Sequence, residues 1–492
     1  QKEIVLSYFQ LQATEKKPIP AKLLMETSGV SAAVIKSLVD KQIFEEYYIN
    51  TDRVSFEKEA DYEIHLSESQ TTVLESIKEK FQQFDVNLFH GVTASGKTEV
   101  YIKLIEEFLQ QDKQVLFLLP EIALTTQLVQ RLSAYFGNQI AVFHSKYNSN
   151  ERVEVYNHVL QNSEKAKVVL GVRSALFLPF LNLGLIVVDE EHEATYKQQD
   201  PAPRYHARDA AIVLAKFHNA KVLLGSATPS LESYHNAKTN KYGLIELFTR
   251  FNNVVLPEIH LIDLKDKYFR KRMDGHFSDE LLERMHETLA NNEQIMLFQN
   301  RRGYSPYIEC TTCGHVPQCP SCDVSLTYYK YKNHLKCHYC GHSMAKPTHC
   351  HACNSLDISA KGFGTEQVEL ELIKLFPTKR IARMDQDTTR GKFAFEKMID
   401  AFKNQEIDIL VGTQMLAKGL DFENVTLVGI LNADNLFNYP DFRAGERTFQ
   451  LLLQVAGRAG RRHNDGLVVL QTSQPENPLI NAIVKNDYLG FY

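Results

Sequence analysis

Two series of short apolar runs constrain the fold of this 492-residue chain more than any other feature. Val115–Leu119, Ile140–Phe143, Val168–Gly171, Leu185–Val188 and Val222–Gly225 form the first series, each rich in Val, Leu and Ile. Ile295–Phe298, Ile381–Met384, Ile409–Val411, Thr426–Leu431 and Leu467–Leu470 form the second. A strand wetted on one face alternates apolar and polar residues, whereas a continuous apolar run suits a strand buried on both faces. Helical stretches separate the runs, so each series predicts a parallel sheet covered by helices. The chain reads as an α/β protein with two such lobes in tandem, and its length suits about three or four domains.

All eight cysteines lie between the first and second runs of the later series. They form four C-x-x-C pairs: Cys310/Cys313, Cys319/Cys322, Cys337/Cys340 and Cys350/Cys353. A two-residue gap lets both thiolates of a pair turn onto one ion, and two pairs close a tetrahedral site. Two structural Zn²⁺ are therefore expected, held by an insertion in the second lobe. Two pairings remain open, nested or sequential. His315, His338, His342, His349 and His351 lie nearby but are surplus to eight thiolates. Tyr328–Lys332 interleaves rings and cations, which suits either stacking on bases or packing on the metal knuckles.

The expected division is a helix-rich domain at 1–64, a first lobe at 65–250, a linker and start of the second lobe at 251–309, the insertion at 310–356, and the remaining second lobe at 357–492. Pro257–Phe277 is the expected connection between the lobes. In the first domain, Ala21–Thr27 and Ser31–Lys41 read as short helices joined at Gly29, with strand character over Ile43–Val54. This is the outline of a winged helix-turn-helix, or of an accessory domain that touches no DNA.

The 44% hydrophobic content is ample for buried cores. No apolar run is long enough to span a bilayer, and no signal peptide opens the chain, so no membrane contact and a cytoplasmic, reduced setting are expected. The start at Gln1 rather than Met reads as upstream residues removed or left out. A net charge of −5 offers no global basic footprint, so nucleic-acid contact has to come from local patches.

Gly91, Val92, Thr93, Ala94, Ser95, Gly96, Lys97 and Thr98 match G-x-x-x-x-G-K-[ST] in full. A strand over Val86–Phe89 enters the motif and a helix from about Thr98 to Leu109 leaves it, the context of a phosphate-binding loop. Its backbone N–H groups would cradle phosphates, Lys97 would reach the β/γ-phosphates and Thr98 would hold Mg²⁺. Asp189-Glu190-Glu191-His192 follows the buried run Leu185–Val188, at the strand end where ligands of α/β sheets bind. Asp189 is the expected Mg²⁺ carboxylate, and Glu190 the group that polarises the attacking water. Gln454-Val-Ala-Gly457-Arg458-Ala-Gly460-Arg461 places two arginines three apart, as fingers for the γ-phosphate, as a phosphate-backbone clamp or as a salt-bridged helix end.

With Gly225–Thr228 and Gly412–Met415, these motifs resemble those of superfamily 2 helicases. Adding Leu118–Thr125, Gly171–Ala175, Lys418–Phe422, Asp189–Ala210 and the eight-cysteine insertion, the chain from about residue 10 onward resembles the PriA family of replication-restart helicases. The resemblance implies RecA-like lobes, a winged helix, nested zinc pairing, and ATP-driven 3′→5′ unwinding of single-stranded and forked DNA with ATP and Mg²⁺. It also implies single-strand-binding protein and primosome or helicase-loading proteins as partners. It makes Gln70 the adenine-reading glutamine, Ser226 and Thr228 the couplers of hydrolysis to lobe movement, Thr413 and Gln414 nucleic-acid or interlobe contacts, and Tyr196–Tyr205 a loop sensing single-stranded DNA. The family's N-terminal 3′-end-binding domain and its C-terminal domain read as absent. The rival readings are a duplex translocase, an RNA helicase, and a nucleotide-gated zinc scaffold that does not unwind.

Overall fold

The computed structural model describes residues 2–14, 19–45, 64–120, 127–144, 148–250, 256–299, 307–322, 324–329, 333–337, 340–361, 365–385, 388–389, 394–417, 422–460 and 466–492. They fall into two compact units, 1–54 and 55–492.

In the first unit, helices Lys2–Thr14, Ala21–Ser28 and Ala32–Asp40 close over Ile4, Leu24 and Leu38. Gly29, at φ +64°, ends the second helix in the left-handed conformation that glycine adopts most easily, making the expected turn. The strand expected over Ile43–Val54 lies, from residue 46, outside the described residues.

Among the described residues, the first lobe of the larger unit is a seven-stranded parallel sheet. Its strands are β1 (Val86–Gly91), β2 (Gln114–Leu118), β3 (Ile140–Phe143), β4 (Val168–Gly171), β5 (Leu183–Asp189), β6 (Lys221–Ser226) and β7 (Gly243–Leu247), in the order β3-β4-β2-β5-β6-β1-β7. Alternate residues feed two cores: Leu116 and Leu118 of β2 face one, Val115 and Phe117 the other. Because β6 lies between β1 and β5, register alone aligns the functional ends. His90 pairs with Ser226, and Asp189 with Gly225.

The second lobe begins with β8 (Glu258–Asp263), followed by a hairpin of β9 (Met273–Asp274) and β10 (Phe277–Ser278), then β11 (Gln294–Phe298). The insertion contributes β12 (Tyr307–Cys310), β13 (Thr327–Tyr329), β14 (His334–Lys336), β15 (Ser343–Ala345) and β16 (Ile358–Lys361). The lobe resumes with β17 (Ile381–Met384), β18 (Ile409–Gly412), β19 (Val425–Ile430) and β20 (Leu467–Thr472). Its six-stranded parallel sheet runs β17-β18-β11-β19-β20-β8.

Two strands depart from expectation. Residues 258–263, read as part of a linker, are an edge strand paired along its whole length with β20. β7 is the edge strand of the other sheet. Edge strands are half-wetted, so Glu258, His260 and Glu246 break the apolar run that marks an interior strand. One buried apolar cluster continues from Leu88 and Val188 of the first lobe to Phe449 and Leu452 of the second, so the lobes share a core. Among the described residues, no helix is long and apolar enough to cross a membrane.

Candidate functional site

The glycine-rich loop leaves β1 and enters helix Lys97–Gln110 with Ala94 at φ +60° and Gly96 at φ +81°. A Cβ on Gly96 would fall 2.0 Å from Gln70 Nε2, so this position has both a conformational and a steric need for glycine. Gln70 is buried against the loop, donating to the Ser95 and Gly96 carbonyls at 3.2 and 3.4 Å. Its Oε1 accepts from Ser67 N–H at 2.9 Å in a capping box, so both ends of the amide are engaged with protein. Lys97 Nζ donates to the carbonyls of Gly91 (2.7 Å) and Val92 (3.2 Å), holding its cation inside the loop. The buried hydroxyls of Ser95 and Thr228 have no hydrogen-bond partner among the described residues.

Asp189, at the end of β5, accepts from the Tyr101 hydroxyl at 3.1 Å. A Cβ on Gly225 would fall 1.7 Å from that hydroxyl, so glycine there opens Tyr101's path to the carboxylate. Burial, with the Glu190 charge adding to it, pushes the Asp189 carboxyl up to about 6, while Lys97 and Tyr101 oppose the rise. Glu190 follows at φ +48°, a left-handed conformation uncommon outside glycine.

The second lobe reaches this corner through helix Ala444–Ala456. Gln454 Nε2 donates to Glu190 Oε2 (3.3 Å) and to His192 Nε2 (3.0 Å). An amide nitrogen only donates, so His192 Nε2 accepts and its proton sits on Nδ1, 2.7 Å from Ser226 Oγ. Ser226 Oγ also accepts from Thr228 N–H at 2.9 Å. A chain of hydrogen bonds thus joins Glu190 to Gly225–Thr228 by way of a residue of the other lobe. A Cβ on Gly457 would fall 2.6 Å from Thr93 Oγ1, so this helix end also abuts the phosphate loop. Arg458 is buried and donates to the Ala417 carbonyl in its own lobe. Arg461 lies outside the described residues. So do 121–125 of the Leu118–Thr125 motif and 418–421 of the Lys418–Phe422 motif.

Glu191, Arg250 and Arg173 contribute in ways that no motif reveals. Glu191, fully buried, holds Arg208 at 3.0 Å and accepts from Ser230 and Ser233, so the second glutamate of the motif is structural. Arg250 donates to Thr93 Oγ1 at 3.3 Å. Tyr196 is buried, its hydroxyl 2.6 Å from the Asp189 carbonyl. Arg173 brackets it, donating to the Thr195 carbonyl at 2.9 Å and the Lys197 carbonyl at 3.3 Å. Between the lobes, a cavity of about 250 Å³ is lined by His192, Glu193, Gln414, Tyr439, Arg447 and Gln454.

The thiols gather in two nested groups. Cys310, Cys313, Cys350 and Cys353 form one, Cys319, Cys322, Cys337 and Cys340 the other, with all Sγ atoms of a group within 4.8 Å of one another. Sγ–Sγ separations of 3.4–3.6 Å suit the ~3.8 Å edge of a tetrahedron with Zn–S bonds of ~2.3 Å. The chain turns after the first, third and fourth pairs on a left-handed residue: Gly314, Gly341 and Asn354. Without a cation, four crowded thiols cannot all ionise. Burial pushes Cys313 up to about 12, and a hydrogen bond with Cys340 does the same to Cys322. The donor set therefore fits Zn²⁺. Tyr328 packs in the insertion's core beside Leu335, which favours the packing reading; residues 330–332 and His338 lie outside the described residues.

Comparison with known proteins places these features together. Residues 1–51 match a winged helix domain of PriA helicase from Bacteroidota, 63–231 the res subunit of type III restriction enzymes, and 363–463 the helicase conserved C-terminal domain. Residues 319–344 match the Cys-rich region of PriA DNA helicase. The replication restart protein PriA of Haemophilus influenzae is 42% identical over 98% of this chain and 67% of its own length. The chain belongs to the PriA family. The PriA of Bacillus subtilis is 45% identical over the whole chain, which spans 61% of that relative's length. The fold is also that of RecG bound to a three-way DNA junction (TM-score 0.51, 14% identity, 99% of this chain and 50% of that one). Mycobacterium smegmatis Lhr bound to single-stranded DNA and AMP-PNP is similar too (TM-score 0.51, 15% identity, 86% of this chain and 48% of that one). The inner group lies within the stretch that matches the family's Cys-rich region, and each nested group has the Cys₄ donor set of a zinc-binding site.

Proposed function

We propose that this chain is an ATP-dependent DNA helicase moving 3′→5′ on single-stranded and forked DNA, which remodels stalled or repaired replication forks and begins primosome assembly. The observation that carries the reading is the meeting of Lys97, Asp189, Glu190 and Gln454 at one interlobe corner, in a PriA-family chain. Lys97 exchanges the Gly91 and Val92 carbonyls for the β- and γ-phosphates. The Thr98 hydroxyl and the Asp189 carboxylate are the residues suited to hold Mg²⁺, which neutralises phosphate charge when bound. Glu190 takes the proton of the attacking water, held in place by Gln454 and His192. Arg458 leaves the Ala417 carbonyl to meet the developing charge, and Arg461, three residues on in the sequence, serves as the second finger. Gln70 braces the loop and reads adenine with its remaining hydrogen-bonding capacity.

Because Gln454 belongs to the second lobe, hydrolysis alters the contact between lobes, and Thr413, Gln414 and Tyr196–Tyr205 carry that change to the DNA strand. The zinc insertion serves as the docking or strand-separating element, with single-strand-binding protein and primosome proteins as cytoplasmic partners. The test is ATP hydrolysis with and without single-stranded and forked DNA, beside Glu190→Gln. Strong DNA stimulation lost in the variant supports the motor. Slow turnover indifferent to DNA overturns it.

A further inference from the structure

After β20 the chain forms helix Pro478–Val484, whose Ile480 and Ile483 are buried in the core shared with the second lobe. It then turns, with Asn486 at φ +51° and Asp487 accepting from Gly490 N–H at 2.8 Å, into the short helix Tyr488–Phe491. This last segment grips the first lobe. The Tyr488 hydroxyl donates to the Pro229 carbonyl at 3.0 Å, just past Thr228. The Tyr488 ring lies 5.0 Å from Tyr234 and 5.0 Å from His90, edge to face. Tyr492 adds a hydrogen bond to His235 at 2.9 Å. On the other side, Phe491 stacks on Phe449 of the second lobe at 4.3 Å and 8°.

His90 is the residue before Gly91, whose carbonyl holds Lys97, and its register partner is Ser226. Its buried ring is packed by Phe248 and Tyr234 as well as Tyr488. Burial holds the imidazole down at about 4, so at neutral pH the contact with Tyr488 is one of packing, not charge.

The geometry points to Tyr488 as a positioning residue: carried by the second lobe, it sets the root of the phosphate loop through His90 and the Gly225–Thr228 segment through Pro229. A rotation of the second lobe drags this strap, and the first groups it meets are those that hold Lys97 and Ser226. Lobe position and nucleotide geometry are thereby linked by a route separate from Gln454. The inference rests on the reading of the chain as an ATP-driven motor.

The test measures ATP turnover of the whole chain with saturating single-stranded DNA, for wild type, Tyr488→Ala and Tyr488→Phe, with zinc content and thermal midpoint alongside. Displacing groups at a site by an ångström or less is costly, so Tyr488→Ala is expected to lower kcat about tenfold with KM for ATP changed less than about twofold. Tyr488→Phe, which keeps the ring on His90 but loses the bond to Pro229, restores part of the loss. Should Tyr488→Ala not fold, Phe491→Ala loosens the same strap from the second-lobe side and is expected to lower kcat in the same direction by less. Unchanged kcat in a folded Tyr488→Ala or Phe491→Ala overturns the inference, as does a loss that Tyr488→Phe does not recover. A wild type inert toward ATP overturns the motor reading instead, and this role with it.

Discussion

The nucleotide corner and the zinc insertion both concentrate groups that repel one another, and they tolerate it in opposite ways. At the corner, Asp189 and Glu190 are held together by a parallel sheet whose strands are buried on both faces, so a large apolar core supports the strain. In the insertion, the buried core comprises Ile308, Cys319, Val324, Leu326, Tyr328, Leu335 and Cys337, two of them metal ligands. A segment of this size rarely folds on apolar burial alone, and a structural ion supplies what is lacking. Order at the corner is inherited from the whole lobe, whereas order in the insertion is local and conditional on metal.

Chelation provides the largest contrast. Structural zinc contributes on the order of 10 kcal/mol to small domains, so removing both ions is expected to abolish amide protection across 307–361 while β1, β5 and β6 stay protected. Hydrogen exchange reads this directly, and loss of protection in both lobes would break the comparison. Glu190→Gln comes next: removing a general base costs about 10²–10⁴-fold in turnover, with unaltered metal content and thermal midpoint. Lys97→Ala is expected to cost about 10²–10³-fold, again with the fold intact, and an unchanged rate would sink the phosphate-loop assignment. Cys319→Ser should lower bound zinc from two ions to one per chain by metal analysis and leave DNA-independent ATP turnover measurable.

The smallest effect sharpens the idea of strain at the corner. Asp189 titrates near 6 in the folded chain against an ordinary 3.8, so at pH 7 its charge is held at a cost absent from the unfolded chain. Asp189→Asn is therefore expected to raise the metal-free thermal midpoint at pH 7 while removing turnover. As pH falls through 6 the native carboxyl takes up a proton and relieves the cost, and below about 3.8 the advantage of Asn disappears. A variant that melts lower at pH 7 would contradict this sign.

Much of the corner was legible because its chemistry is written in contiguous residues. Gly91–Thr98 and Asp189-Glu190 each follow an apolar strand, and that context predicts both the element and the exposed end. The eight cysteines likewise announced tetrahedral metal sites, since a C-x-x-C turn is a local object. The edge strands β7 and β8 were hidden because half-wetted strands lack a continuous apolar run. Glu190 was assigned from the motif, but the role of Glu191 emerged only from its partners: it faces Arg208 and Ser230, while Glu190 faces Gln454.

By itself, then, the sequence determined the lobes, the phosphate loop and the ligands, all of which follow from periodicity and short-range spacing. Tertiary structure chose between the two zinc pairings that cysteine spacing leaves open, and it alone decided that Gln454 and His192 connect Glu190 with Ser226 and that Tyr488 returns to His90. Those contacts join residues far apart in the chain, and their partners are selected by strand register, shape and burial, which no local pattern encodes.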